Sequence, residues 1–171
     1  MNDVLLAGTA LEFVTNTRRC RRKGVNCMDQ IAFAFPFEPV AKGRPRFRVC
    51  GKFVQAYTPG KTKQFEKRIA EYYKTATGAE RFEEGVPIVV SINFGMKIPV
   101  SLTKKAKQEM LEGKRQHNVK PDLDNLAKSV LDALNGIAWH DDAQIVELHL
   151  GKTYVQSPHI FIQIHKLQQK G

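Results

Sequence analysis

The chain has 171 residues, 42% of them apolar, which suits one domain with its own core. Lys and Arg number 27 against 17 Asp and Glu, and the formal net charge of +10 favours a polyanionic partner such as nucleic acid or an anionic membrane surface. No apolar run approaches the roughly 18 residues that would span a bilayer, and three scattered cysteines (Cys20, Cys27, Cys50) do not make a disulfide framework, so a cytoplasmic setting is expected.

Residues 1–28 read as an N-terminal basic extension, expected to be flexible, ahead of a domain over 29–171. They carry Arg18, Arg19, Arg21, Arg22 and Lys23 but show no sustained period. The basic cluster follows the short apolar segment, which is the wrong order for a signal peptide. IAFAFPF (31–37) predicts a strand that Pro36 ends or places at an edge. Residues 40–61, rich in Gly, Pro and basic side chains, read as a loop. Phe65, Ile69, Tyr72, Tyr73 and Ala76 recur at helical spacing over 62–76. Ile88, Val90, Ile92 and Phe94 alternate as a strand does, and residues 102–113 read as a short polar helix that Gly113 can cap.

Over 122–136, Leu123, Leu126, Ala127, Val130, Leu131 and Leu134 form the apolar stripe of a helix that stops at Gly136. Two alternating strands follow, over 143–151 and 159–165. The expected fold class is α+β, a small mixed sheet of about four strands flanked by helices.

The stretch KPDLDNLAKSVLDAL (120–134) gathers acid in a basic chain. Residues two apart on a regular helix do not face each other. Asp122 and Asp124 therefore converge only if the chain is not yet helical at Asp122, as the preceding Pro121 implies. One reading is a capped amphipathic helix with two i,i+4 pairs, Asp124–Lys128 and Lys128–Asp132. The other draws on AWHDDAQI (138–145), which brings Asp141 and Asp142 back toward the helix mouth. Carboxylates that converge repel one another, and a hard divalent cation such as Mg²⁺ relieves that repulsion. Beside a basic surface, such a site suits phosphodiester hydrolysis, with Lys128 adding fixed positive charge.

The motif D-L-D-N-L-x-K-x-x-x-D-A-L followed by D-D-A-Q-I resembles the RusA family of Holliday junction resolvases. K-G-R-P-R (42–46) and Y-T-P (57–59) resemble the N-terminal half of its prophage members. The resemblance spans roughly residues 30–166. It implies a RusA-like fold and a homodimeric, Mg²⁺-dependent endodeoxyribonuclease. Such an enzyme cuts DNA four-way junctions by paired symmetric nicks in recombination and repair. It also implies metal-binding aspartates at Asp122, Asp124 and Asp142, with Asp141 the alternative to Asp142, and a catalytic lysine at Lys128. Asn125, Asp132 and Asp141 are supporting residues, Asp132 holding Lys128 toward the site. Two other readings stay open: a junction- or DNA-binding protein without catalysis, and a metal-dependent nuclease of broader substrate choice.

Lys42, Arg44, Arg46 and Arg48 fall on alternate residues, a plausible row for DNA phosphates, with a solvated basic loop as the plain alternative. Phe47, Phe53 and Tyr57 interleave with them and suit packing more than base stacking. The GKT triplets at 60–62 and 151–153 lack the P-loop glycine, having Gln55 and Val146 in its place, so no nucleotide cofactor is expected. No membrane association is expected either. His140 adjoins the acid pair, but Mg²⁺ prefers oxygen ligands. Trp139 is expected to pack the helix end.

Overall fold

Alternating apolar residues in three strands build the core as cross-strand rows. The structure is a computed structural model and describes residues 18–22, 25–44, 46–50, 53–57 and 60–167, with backbone alone at 18–22, 25–28, 46–50 and 54–57. Strand β2 (Val25–Phe35) lies antiparallel to β7 (His159–Lys166), which in turn lies antiparallel to β5 (Ile88–Lys97). The registers align Ile31 with Ile164 and Val90, Phe33 with Ile162 and Ile92, and Phe35 with Ile160 and Phe94. All nine are buried. Strand β6 (Ile145–Val155) adds to β5 in parallel, extending these rows with Leu148, Leu150 and Lys152.

At the opposite edge, β1 (Arg18–Arg22) pairs antiparallel with β2, so the sheet order is β1-β2-β7-β5-β6. This mixed sheet with its helices bears out the α+β class. The β1–β2 register sets Cys20 across from Cys27, a proximity their sequence spacing does not announce. Strand β2 also runs through the 28/29 boundary expected for the extension. Residues 1–17, 23 and 24 of that extension lie outside the described residues.

Two helices cover the buried rows. Helix α1 (Gly60–Thr77) contributes Phe65, Ile69 and Tyr73, and α3 (Leu123–Leu134) contributes Leu126, Val130 and Leu134. The helical periods read from the sequence mark these buried faces. Helix α2 (Lys104–Leu111) is short and polar, capped by the Thr103 hydroxyl, which accepts from the Ala106 N–H. After α2 and α3, Gly113 and Gly136 adopt positive φ (72° and 73°), the left-handed stop expected of both.

The loop reading of 40–61 is corrected: β3 (Arg46–Cys50) and β4 (Phe53–Tyr57) form a separate two-stranded hairpin. Arg46, Arg48 and Cys50 alternate with Phe47 and Val49 at a strand period, which the basic and glycine content obscured.

Strands β6 and β7 flank β5 on its two sides and are joined through only Gln156–Pro158, so their link arches over β5 near its end. Gly95 lies under this arch. A Cβ there would stand 2.8 Å from Val155 Cγ2 and 3.0 Å from the His159 ring. Among the described residues, no helix is long and apolar enough to cross a membrane.

Candidate active site

The chain from β5 to β6 carries every acid singled out at the helix mouth and the turn beyond it. Asp122 is the N-cap of α3, extended at φ −71° and ψ 143°, after a cis Lys120–Pro121 peptide. Its side chain nevertheless makes no capping hydrogen bond. A plain capping role would place a carboxylate oxygen on an N–H of the first turn. Asp124, exposed in that turn, meets only the Asn125 amide, at 3.5 Å. Among the described residues both carboxylates are thus exposed and have no strong partner, at a helix end whose free N–H groups favour negative charge. Lys128 is exposed one turn further on.

Asp132 departs from expectation. It pairs not with Lys128 but with Lys42, whose ammonium also lies 2.5 Å from Glu66 Oε1. Burial acts to lower the Lys42 pKa, but the hydrogen bonds to Asp132 and Glu66 outweigh it and leave the pKa raised. The Lys42 backbone is fixed as well, its N–H donating to Asn125 O at 2.8 Å. Two residues earlier, the buried Ser129 hydroxyl sits 2.6 Å from Val40 O. Lys42 therefore ties residues 40–42 to α1 and α3, and its charge is already satisfied by carboxylates. It stands apart from the phosphate row expected of it. Arg44 is exposed, and the side chains of Arg46 and Arg48 lie outside the described residues.

After α3 the chain makes a turn built around two fully or nearly buried side chains, Trp139 and Gln144. Gln144 donates to Glu83 O at 2.8 Å and Val86 O at 3.0 Å, and accepts from His140 N at 2.8 Å. Nothing in the sequence marked it beyond its place in D-D-A-Q. Asp141 is occupied as a cap, accepting from Ala143 N at 2.8 Å. Asp142 accepts a 2.8 Å hydrogen bond from Trp139 Nε1. The two adjacent acids are thereby distinguished: Asp141 secures the turn, while Asp142 has one oxygen held by a buried indole. Burial pushes the Asp142 carboxyl up. The Trp139 bond opposes this, and the nearby charges of Asp132 and Asp141 add to it. An open cavity of about 510 Å³ beside the turn is lined by Lys74, Arg81, Glu83 and His140 among others, but by none of Asp122, Asp124 or Asp142.

The structure thus brings Asp122 and Asp124 to one helix mouth and sets Asp142 on the following turn, within electrostatic reach of Asp132. Among the described residues, no three Asp, Glu, His or Cys side chains gather into a group able to hold a metal ion. The uncommitted Asp122 and Asp124 offer the hard oxygen donors that Mg²⁺ favours, so the pair fits such an ion; a closed set of three carboxylates is not formed.

Comparison with known proteins follows the same stretch of chain. Residues 36–165 match the family described as Endodeoxyribonuclease RusA. The uncharacterized protein YqaN of Bacillus subtilis (strain 168) is 34% identical over 140 residues, covering 82% of this chain and 99% of that protein. The matched span runs from just after β2 to near the end of β7 and takes in the uncapped helix mouth: the chain belongs to the RusA endodeoxyribonuclease family.

Proposed function

We propose that the protein is a Mg²⁺-dependent endonuclease that resolves four-way DNA junctions, with Asp122, Asp124 and Asp142 as metal ligands and Lys128 as the catalytic cation. The observation that carries the reading is Asp122, an N-cap residue whose exposed side chain makes no capping hydrogen bond, two residues before the exposed Asp124. A bound Mg²⁺ would supply a hard positive charge that offsets the charge of the phosphate under attack. Asp122 and Asp124 take the ion from the helix mouth, and Asp142 contributes the oxygen that Trp139 does not hold. Lys128, exposed on the same polar stripe, pairs with a non-bridging phosphate oxygen. Arg44, Arg46 and Arg48 lie along the DNA backbone and give affinity without sequence preference.

A four-way junction has near two-fold symmetry, so a homodimer would set two such sites on equivalent phosphates and leave paired nicks. Recombination and repair, in a prophage or its host, are the processes such nicks would serve.

The test uses purified protein with a synthetic four-way junction, a flap, a duplex and an RNA hairpin, each with and without Mg²⁺. The junction is cut preferentially and only with the metal. Asp124→Asn lowers the cleavage rate by about 10²–10³-fold, the scale of losing one transition-state electrostatic group, and still binds the junction. A junction left intact at every Mg²⁺ concentration, or an Asp124→Asn variant that cuts like wild type, overturns the reading.

A further inference from the structure

Between α2 and α3 the chain runs through residues 112–122 without regular structure, yet this segment delivers Asp122 and Asp124. Its last part is held from outside. Lys152 extends the buried row Phe35–Ile160–Phe94 onto the edge strand β6, so its side chain lies on the helix-covered side of the sheet. Its ammonium donates to Val119 O at 2.8 Å and to Pro121 O at 2.9 Å. Pro121 immediately precedes Asp122. Two residues along β6, on the same side, the Tyr154 ring packs 4.6 Å from the ring of His117. His117 is buried, and its Nδ1 has no hydrogen-bond partner among the described residues. One strand thus grips the segment at both ends of 117–121, by a ring contact and by a cation on two carbonyls.

We infer that Lys152 is a positioning residue for the nuclease site: by binding the carbonyls of Val119 and Pro121 it fixes the backbone that aims Asp122, and with it the pair that takes the metal. The inference rests on the nuclease reading above for its functional half. A carboxylate pair left free by the protein must be held by its backbone, because ligand geometry tolerates only small displacement. An ammonium bound to two carbonyls, rather than to a carboxylate, orders a loop while keeping its own positive charge. The GKT triplet around Lys152 is therefore no nucleotide motif, and its lysine faces inward to the site's support.

The experiment compares wild type, Lys152→Met, Lys152→Gln and Lys152→Arg by two readouts. The first is amide hydrogen exchange, followed by mass spectrometry, over residues 117–124 in metal-free protein. The second is single-turnover junction cleavage across a Mg²⁺ titration, with junction affinity measured in EDTA. Lys152→Met exchanges faster in 117–124 while β5 and β7 keep their protection. Its cleavage falls about 10- to 100-fold, the range for losing a residue that orients metal ligands. Its half-saturating Mg²⁺ rises, and its junction affinity in EDTA is unchanged. Lys152→Arg, which retains donors for both carbonyls, recovers most of the rate.

Wild-type exchange in 117–124 for Lys152→Met overturns the inference. So does a fall in junction affinity that matches the fall in rate, which would make Lys152 a phosphate contact. Should Lys152→Met fail to fold, Lys152→Gln decides by the same readouts: raised exchange confined to 117–124 supports the role and unchanged exchange ends it. Should wild type leave the junction uncut, the nuclease reading fails while the exchange data still judge what Lys152 holds.

Discussion

Trp139 is a core side chain that also holds an acid of the proposed site. The indole is wholly buried, and its N–H gives Asp142 its hydrogen bond at 2.8 Å. Burial raises the Asp142 pKa, and this bond opposes the rise. Ionised Asp142 therefore weakens the fold above its raised pKa, and that cost is relieved as pH falls through it. In the proposed role of metal ligand Asp142 must be ionised, so junction cleavage is expected to fall over the same descent. Trp139→Phe keeps the ring in the core but removes the donor. The acidic limb of the pH–rate profile for junction cleavage then moves to higher pH; an unmoved limb would show that Asp142 is not the group titrating there. The sequence made the acids legible because Asp122, Asp124, Lys128 and the Asp141–Asp142 pair sit close together in an unusual pattern. It could not show that Asp141 accepts from Ala143 N while Asp142 accepts from the Trp139 indole, since those bonds arise only in the folded turn. Nor could it show Lys42 reaching Asp132 across 90 residues.

Among the elements, α3 was the most legible, because its leucines repeat at a helical period and Gly136 stops it. Strands β5 and β7 followed from strict alternation. The β3–β4 hairpin was hidden because its turn and basic residues resemble a loop by composition, and among the described residues the two strands pair with each other alone. The arch from β6 to β7 was also beyond the sequence, for nothing in Gln156–Pro158 says that β5 passes beneath. Gly95 is the mark of that crossing. Gly95→Ala puts a methyl group against the stiff Val155 side chain and the His159 ring. The expected cost is about 1–3 kcal/mol, as for other overpacked sites, read by urea denaturation. A stability equal to wild type would mean that the arch yields freely.

For the whole molecule, the net charge of +10 implies DNA binding that weakens as salt rises. The structure sharpens which charges count. Arg44→Ala should reduce the slope of log affinity against log salt by about one phosphate's worth. Lys42→Ala should change that slope far less, since Glu66 and Asp132 already occupy its ammonium. Equal effects from the two substitutions would mean that Lys42 leaves its carboxylates for DNA. The parallel pairing of β5 with β6 has a consequence for the enzyme's birth on the ribosome. Parallel neighbours need a long crossover, and here that crossover is the segment bearing Asp122, Asp124 and Asp142. Lys152 and Tyr154, which grip it, are translated later still. A nascent chain that ends before β6 already carries Asp122, Asp124 and Asp142, but has no strand to set them. On the proposed reading, a product truncated before β6 carries Asp122, Asp124 and Asp142 without the strand that grips their segment.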